Sequence, residues 1–423
     1  MSGVTTDFDN AVQRVKDGED AWGVAAELLS KLSQDEKLAL LQGDPPFWQG
    51  LLDLYTDVYS TKPYVLGQIA RLGAPGVRYC DGPRGVNIRR ATVFPCSTAR
   101  GATWDPELEE AVGRAIGLEA RAYGANMVGS ACINLPRHPA WGRVQETYGE
   151  DPVLLGEFGA AHVRGLQRNV MGCVKHFALN SMETARFRVN VDIDDAALHE
   201  AFLPHFRKCV DAGALAVMTA YNSVNGEWAG ESKRLIRDIL RDRWGFGGIT
   251  ITDWLFGLRD AVKSVEAGLD IEAPFRNRRH AALKPALASG RLTVGDIDRI
   301  GARVLRTQLL HYAARDEAQP GEDVVFSDAH RDLARRVASR SIVLLKNDHV
   351  DGRPVLPLPA GLSSVAVIGR HADSPLTGDR ASSWVDCPEV TTPLSGIRAE
   401  FPRAEPRSRS SSSATTPTTR ASF

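Results

Sequence analysis

The runs LAVMTAY (215–221), GITITDW (248–254) and LDIEA (269–273) decide the fold. Each is apolar almost throughout, and each closes on or beside a polar or ionisable residue: Tyr221, Asp253 and Glu272. A strand apolar on both faces belongs in a parallel sheet covered on both sides. Working outward, GVRYC (76–80), NMVGSACINL (126–135) and VMGCVKHF (170–177) have the same character, and two of them lead to Asp81 or to Lys175 and His176. Amphipathic stretches at 105–123, 151–168, 195–211, 233–243 and 257–267 alternate with these runs and predict helices. Alternating strand and helix gives an α/β fold. Ionisable residues at the C-terminal ends of many strands are the pattern of a closed (β/α)8 barrel, which draws its site from all of them. An open doubly wound sheet concentrates its site at one switch point, usually with a Gly-rich turn. Neither G-x-G-x-x-G nor G-K-[ST] occurs. The expected fold is therefore a (β/α)8 TIM-type barrel followed by the start of an αβα sandwich domain.

The expected organisation begins with an N-terminal region and barrel over 1–315. Within it, Ser33 and Glu36 spell a capping box ahead of a helix. HYAARDEAQPGEDVVFSDAH (311–330) is rich in Pro, Gly and acidic residues and puts a linker at 316–335. RDLARRVASRSIVLLKND (331–348) reads as helix then strand, and SVAVIGR (364–370) reads as a buried strand. These open a partial sandwich domain over 336–401. From 402 the string PRAEPRSRSSSSATTPTTRASF has no Leu, Ile or Val and is expected to be disordered, because it cannot bury enough apolar surface to offset its ordering entropy. The abrupt change of character points to a reading frame interrupted near residue 401, with 402–423 a non-native tail.

The chain has 423 residues, 43% of them hydrophobic and 24% charged, an ordinary globular composition. Lys plus Arg is 51 against 52 for Asp plus Glu, so no charge excess favours nucleic acid or an anionic membrane as partner. The six cysteines include no C-x-x-C pair and sit mostly in apolar runs, which fits a reducing compartment and no structural zinc. No basic-then-apolar leader opens the chain, and no run nears the roughly 20 apolar residues of a membrane span. The expectation is a cytoplasmic protein with no metal or cofactor. Nothing in the string fixes its oligomeric state.

Asp253 leads the candidate site. At a strand end beside Trp254, its carboxylate is placed to attack a sugar's anomeric carbon while the indole packs on the ring; a helix N-cap is the plainer alternative. Lys175 and His176 are two polar heads at one strand end, suited to vicinal hydroxyls or to holding carboxylates ionised, or to a simple ion pair at the rim. Asp81 opens the turn CDGPRG, Arg143 lies in the long loop PAWGRVQETYGEDP, and Tyr221 ends MTAY. A guanidinium fork suits a carboxylate or two hydroxyls. A metal hydrolase is excluded by spacing, since His199 and His205 do not fit H-E-x-x-H, and no G-x-S-x-G elbow serves a serine nucleophile.

The strings CDGPRG, FPCSTARGATWDPEL, PRHPAWGRVQETYGEDP, KHFALN, AGALAVMTAYNSVNG and RWGFGGITITDW stand in this order, with RRVASRSIVLLKND and TTPLSGI after them. Together they resemble the family 3 glycoside hydrolases, in their β-glucosidase-like branch, from about residue 25 to about 400. The resemblance implies a barrel followed by an αβα sandwich with the site where they meet. It assigns Asp253 as nucleophile of a retaining double displacement, and Asp81, Arg143, Lys175, His176 and Tyr221 as the grip on a terminal β-D-glycosyl residue. Trp254 is expected to line the leaving-group side. Such chemistry needs a second carboxyl roughly 5–5.5 Å away, which in this branch is a Glu from later in the sandwich and is not found here. The N-acetylhexosaminidase branch carries an Asp/His pair after KHF; here that loop reads ALNSMETARF, with Glu183 a weak surrogate. The alternative reading is a non-catalytic remnant that at most binds sugar.

Overall fold

The computed structural model describes residues 5–378, 381–402 and 405–409. Six strands form one sheet in chain order: β1 (Tyr64–Leu66), β2 (Val77–Asp81), β3 (Met127–Cys132), β4 (Met171–Phe177), β5 (Ala216–Thr219) and β6 (Ile249–Ile251). From β2 onward every neighbouring pair is parallel. The run 269–273 joins through the parallel bridge Ile251↔Ile271 rather than as a full strand. Residues 42 and 43 then bridge Glu272 on one side and Leu66 of β1 on the other. Backbone bonds from Gly43 N to Glu272 O (2.9 Å) and from Gly67 N to Gln42 O (3.0 Å) close the ring. Counting the two bridged segments, eight staves surround the interior, and the barrel expectation holds.

One stave departs from the expected pattern. β1 is antiparallel to β2. The ten residues between them, 67–76, hold only the 3-10 turn Ala70–Leu72. A parallel crossover needs a dozen residues or more, so a connection this short can only turn back.

Helices follow the later strands: α1 (Pro106–Ala122), α2 (Pro152–Gln167), α3 (Pro204–Asp211), the π-helical α4 (Arg234–Arg243), α5 (Ala261–Ala267), α6 (Arg278–Ala288) and α7 (Val294–Ala314). Asp105 and Asp151 cap α1 and α2, each with Pro at the first helical position. The stretch expected as one helix over 195–211 breaks at Leu203, because Pro204 has no N–H to donate backward and starts a new helix instead. The helix expected from 257 begins at Ala261, where Asp260 accepts from Val262 N and Lys263 N. The Ser33–Glu36 capping box forms as read.

Beyond the barrel, α8 (Asp328–Arg340) starts inside the stretch read as linker, since Ser327 caps it. Glu119 of α1 fastens α8: its buried carboxylate accepts from Thr92 N (3.0 Å), Thr92 Oγ1 (2.5 Å), Phe326 N (3.0 Å) and His330 Nδ1 (2.7 Å). Val385 is fully buried against the barrel, and Ala91 N donates to Asp386 O at 2.9 Å. Residues 342–348, read as a strand, carry no strand pairing, and Leu345 is 91% exposed. β7 (Ser364–Ile368) forms where SVAVIGR predicts it but is not buried, with Ile368 79% exposed. Its one neighbour among the described residues is parallel β8 (Glu405–Arg409), inside the stretch expected to be disordered from 402. Backbone pairing along an open strand edge needs no apolar side chain, which is the property the composition argument weighed. Residues 410–423 of that tail lie outside the described residues.

Buried Arg279 clips the ring shut where the bridged staves meet. It donates to Leu41 O (3.1 Å), Asp270 O (2.6 Å), Leu269 O (2.8 Å) and Ser264 Oγ (3.0 Å). Glu272 reinforces the same seam by accepting from Arg278 N (3.0 Å) and Arg279 N (2.8 Å) at the start of α6. Removing the guanidinium strands buried carbonyls at about 1–3 kcal/mol each. Arg279→Met is therefore expected to lower the barrel's Tm by at least roughly 5 °C, read by differential scanning calorimetry; an unchanged Tm would show that closure does not depend on it.

Candidate active site

The ends of β2, β4, β5 and β6 bring Asp81, Lys175, His176, Tyr221 and Asp253 to one mouth of the barrel, and all five are buried. Lys175 Nζ donates to Asp81 Oδ1 at 2.6 Å. Two phenols share that carboxylate: Tyr79 OH reaches Oδ1 at 2.7 Å and Tyr59 OH reaches Oδ2 at 2.7 Å. Burial alone would drive the lysine's proton affinity down, but the adjoining Asp81 outweighs it and holds Lys175 above its ordinary value.

Arg143 enters from the long loop after β3. Its Nε and Nη2 grip Glu146 in a fork (3.1 and 2.7 Å), and Nη1 reaches His176 Nε2 at 3.2 Å. A 3-10 turn over Val144–Glu146 sets this spacing. Burial would raise the Glu146 carboxyl, but Arg143 more than reverses this and lowers it. His176 is held neutral, its proton affinity pushed well down by burial and then by Arg143 and Lys175.

Asp253 Oδ1 accepts from Trp254 N at 2.7 Å. Its Oδ2 is buried without a hydrogen-bond partner and lies 3.7 Å from His176 Nε2. Burial raises the Asp253 carboxyl to about 6, with Arg143 and then Arg186 opposing the rise. A buried, unsolvated carboxylate oxygen is costly unless something uses it. The helix-cap alternative fails on these contacts, since the capping contacts of α5 are made by Asp260.

Tyr221 donates its hydroxyl to Trp254 O at 2.8 Å, so the phenol positions the residue after the nucleophile candidate. Trp254 packs on Tyr79 (4.6 Å between centroids) and Tyr64 (5.2 Å). Its Nε1 is buried without a partner. Trp254, Asp81 and the tyrosines line a narrow recess with no room for a water molecule. A larger cleft, about 810 Å³, opens among Arg137, Met182, Ile193 and Phe202, and none of the expected site residues line it. Chemistry, not size, marks the site.

Several groups here were not picked out from sequence: Glu146, Asn134, Tyr59, Tyr79 and Arg186. Only Glu146 carried a signal, three residues after Arg143 on a turn. Arg186 sits over the Tyr221 ring (4.8 Å) and donates to Glu183 Oε2 at 2.8 Å; Trp141 Nε1 occupies the other Glu183 oxygen at 3.0 Å. A second constellation imitates a nucleophile relay: Ser130 Oγ meets His162 Nε2 at 2.7 Å, and His162 Nδ1 meets Glu109 at 2.7 Å. Ser130 and His162 are wholly enclosed between β3, α1 and α2, so no substrate reaches them.

A barrel mouth holding one carboxylate oxygen without a hydrogen bond among paired cations and phenols is suited to a polyhydroxylated substrate. The glycosyl hydrolase family 3 N-terminal domain model matches residues 67–307, and the family 3 C-terminal domain model matches 342–421. The chain belongs to glycosyl hydrolase family 3. It is 33% identical over 392 residues to a β-glucosidase of Rhizobium radiobacter, covering 89% of this chain and 45% of that one. It is 37% identical over 383 residues to a probable β-glucosidase J of Aspergillus fumigatus, covering 88% and 42%. Among solved structures, β-glucosidase 3B of Thermotoga neapolitana in complex with glycerol superposes with a TM-score of 0.79 at 29% identity, covering 89% of this chain and 54% of that one. The β-glucosidase of Kluyveromyces marxianus in complex with glucose gives 0.77 at 32%, covering 90% and 45%. The chain thus spans less than half the length of these two curated relatives. The match from 342 to 421 runs through the stretch read from composition as a non-native tail.

Asp253 links the site to stability. Its folded-state pKa of about 6 lies above the ordinary carboxylate value. It therefore favours folding below that ordinary value, and the contribution is lost as pH rises through about 6. Asp253→Asn is expected to raise Tm at pH 8, by relief of about 3 kcal/mol, and to leave it unchanged at pH 4. Calorimetry at the two pH values reads the difference.

Proposed function

We propose that this chain is a retaining β-glycosidase of β-glucosidase type, acting on terminal non-reducing β-D-glycosyl residues by double displacement. The observation that carries the reading is the Oδ2 of Asp253, buried without a hydrogen bond 3.7 Å from His176 at the barrel mouth that also holds Lys175 and Arg143. In this reading that oxygen attacks the anomeric carbon, and the leaving-group oxygen takes the bonding pair and then a proton from solvent. Water later attacks the anomeric carbon, freeing the Asp253 carboxylate and releasing the sugar with retained configuration. Asp81, Lys175, Arg143, His176 and Tyr221 form the grip, and Trp254 the wall on the leaving-group side. The glucose-bound relative supports a glucoside as substrate. Six unpaired thiols, four of them buried, support a reducing, cytoplasmic setting.

The described pocket carboxylates are poor candidates for the acid. Asp81 accepts from Lys175 and two phenols, Glu146 is locked to Arg143, and Glu183 to Arg186 and Trp141. We therefore propose that these residues do not include the acid/base Glu. General acid help is worth about 10²–10⁴-fold, so this chain should form its glycosyl intermediate far faster from dinitrophenyl β-glucoside than from cellobiose. Equal, efficient turnover of both would refute that part.

The exposed run Ile342–Leu345 favours a second reading, a chain that binds sugar without turnover. Incubation with a 2-fluoro-2-deoxy glucoside bearing a dinitrophenyl leaving group, followed by peptide mapping, separates the two. The expected adduct is on Asp253, lost in Asp253→Asn. A Tm raised by glucose with no adduct would support the second reading.

A further inference from the structure

We propose that Asn134 is a positioning residue that fixes the tautomer of His176, so that Nε2, the ring nitrogen on the side of Asp253, carries a lone pair and not a proton. The inference deepens the glycosidase reading and rests on it for the role of Asp253; the tautomer stands on contacts of its own.

Asn134 follows β3, and its amide lies against the backbone of His176 in β4. Nδ2 donates to His176 O at 2.8 Å, and Oδ1 accepts from His176 N at 2.8 Å. A carbonyl oxygen cannot donate and an N–H cannot accept, so these two contacts together allow only one orientation of the amide. Oδ1 also lies 3.2 Å from His176 Nδ1. An acceptor facing a ring nitrogen requires that the nitrogen carry the proton.

The other side of the ring gives the same answer. Arg143 Nη1 stands 3.2 Å from His176 Nε2, and a guanidinium has only donors to offer. Nε2 must therefore be unprotonated. Asn134 and His176 are both buried, so water does not relieve either constraint. The neutral state of the ring agrees, since burial and the flanking cations disfavour a second proton. One amide thus governs both edges of the imidazole: Asn134 loads Nδ1 and thereby empties Nε2.

The consequence lies at the nucleophile. Nε2 is 3.7 Å from Asp253 Oδ2. The opposite tautomer would aim an N–H at that oxygen, drawing off electron density and meeting Arg143 donor to donor. With Nε2 bare, Oδ2 keeps no donor from the ring. A sugar hydroxyl that takes the place of Arg143 Nη1 at Nε2 then meets an acceptor for its proton, with the displaced guanidinium beside it as a donor to its oxygen.

The test uses the full chain labelled with ¹⁵N in its histidine rings, with the His176 signals identified by their loss in His176→Gln. The expected spectrum between pH 5 and 8 has Nδ1 protonated and Nε2 unprotonated. A protonated Nε2, alone or with Nδ1, would overturn the proposal without any variant. In Asn134→Asp a carboxylate faces Nδ1, so the ring should take up a second proton near neutral pH, and labelling of Asp253 by the 2-fluoro glucoside should slow at least roughly tenfold. Wild-type ring signals and a wild-type labelling rate in that variant would also overturn it. An adduct on another residue, with the Nδ1–H tautomer intact, would uphold the positioning role and sink the nucleophile assignment instead.

Discussion

A sheet that closes on itself has no edge, and the rest of this molecule depends on that closure. The last link is made by backbone alone, where residues 42 and 43 bridge Glu272 on one side and Leu66 on the other. Because those segments are too short to form a full ladder, side chains complete the seam. Arg279 supplies donors to three carbonyls there, and Glu272 holds the start of the next helix. Closure then fixes the distances between strand ends that are far apart in sequence. Asp81 and Lys175, 94 residues apart, meet at 2.6 Å because β2, β3 and β4 lie side by side, with a register shift between Val128 and Ala131.

Within the mouth, among the described residues, the cations are each paired with a carboxylate, and Asp253 keeps one oxygen without a hydrogen bond. Lys175 is neutralised by Asp81, Arg143 by Glu146 and Arg186 by Glu183. His176 is neutral, and Asp253 is left with an oxygen that makes no hydrogen bond. Buried ion pairs are weak devices for stability, since desolvation offsets much of their attraction. Their value here is geometric: each pins a side chain, and each cation's field still reaches Asp253. Burial lifts the carboxyl to about 6 rather than higher because Arg143 and Arg186 oppose it. The group stays mostly ionised at neutral pH although it is buried.

Much of this was legible in the sequence, for a physical reason. Strands buried on both faces write continuous apolar runs, and an ionisable residue ending such a run has few places to sit except a barrel mouth. That logic found Asp81, Lys175, His176, Tyr221 and Asp253. It failed where loops and backbone make the contacts. Asn134 reads as an ordinary polar residue after a strand, and its role depends on a carbonyl and an N–H that belong to His176. Residues 42 and 43 close the barrel through main-chain groups that every residue has. The reversed β1 leaves no mark in the sequence because three residues give no periodicity. In the C-terminal stretch, β8 pairs beside β7 through backbone groups, which composition does not weigh.

Glu119 ties together parts that otherwise have separate roles. One enclosed carboxylate takes donors from the loop after β2, from the segment ahead of α8 and from α8 itself. The start of α8 is therefore fastened through one shared carboxylate to the loop that follows Asp81.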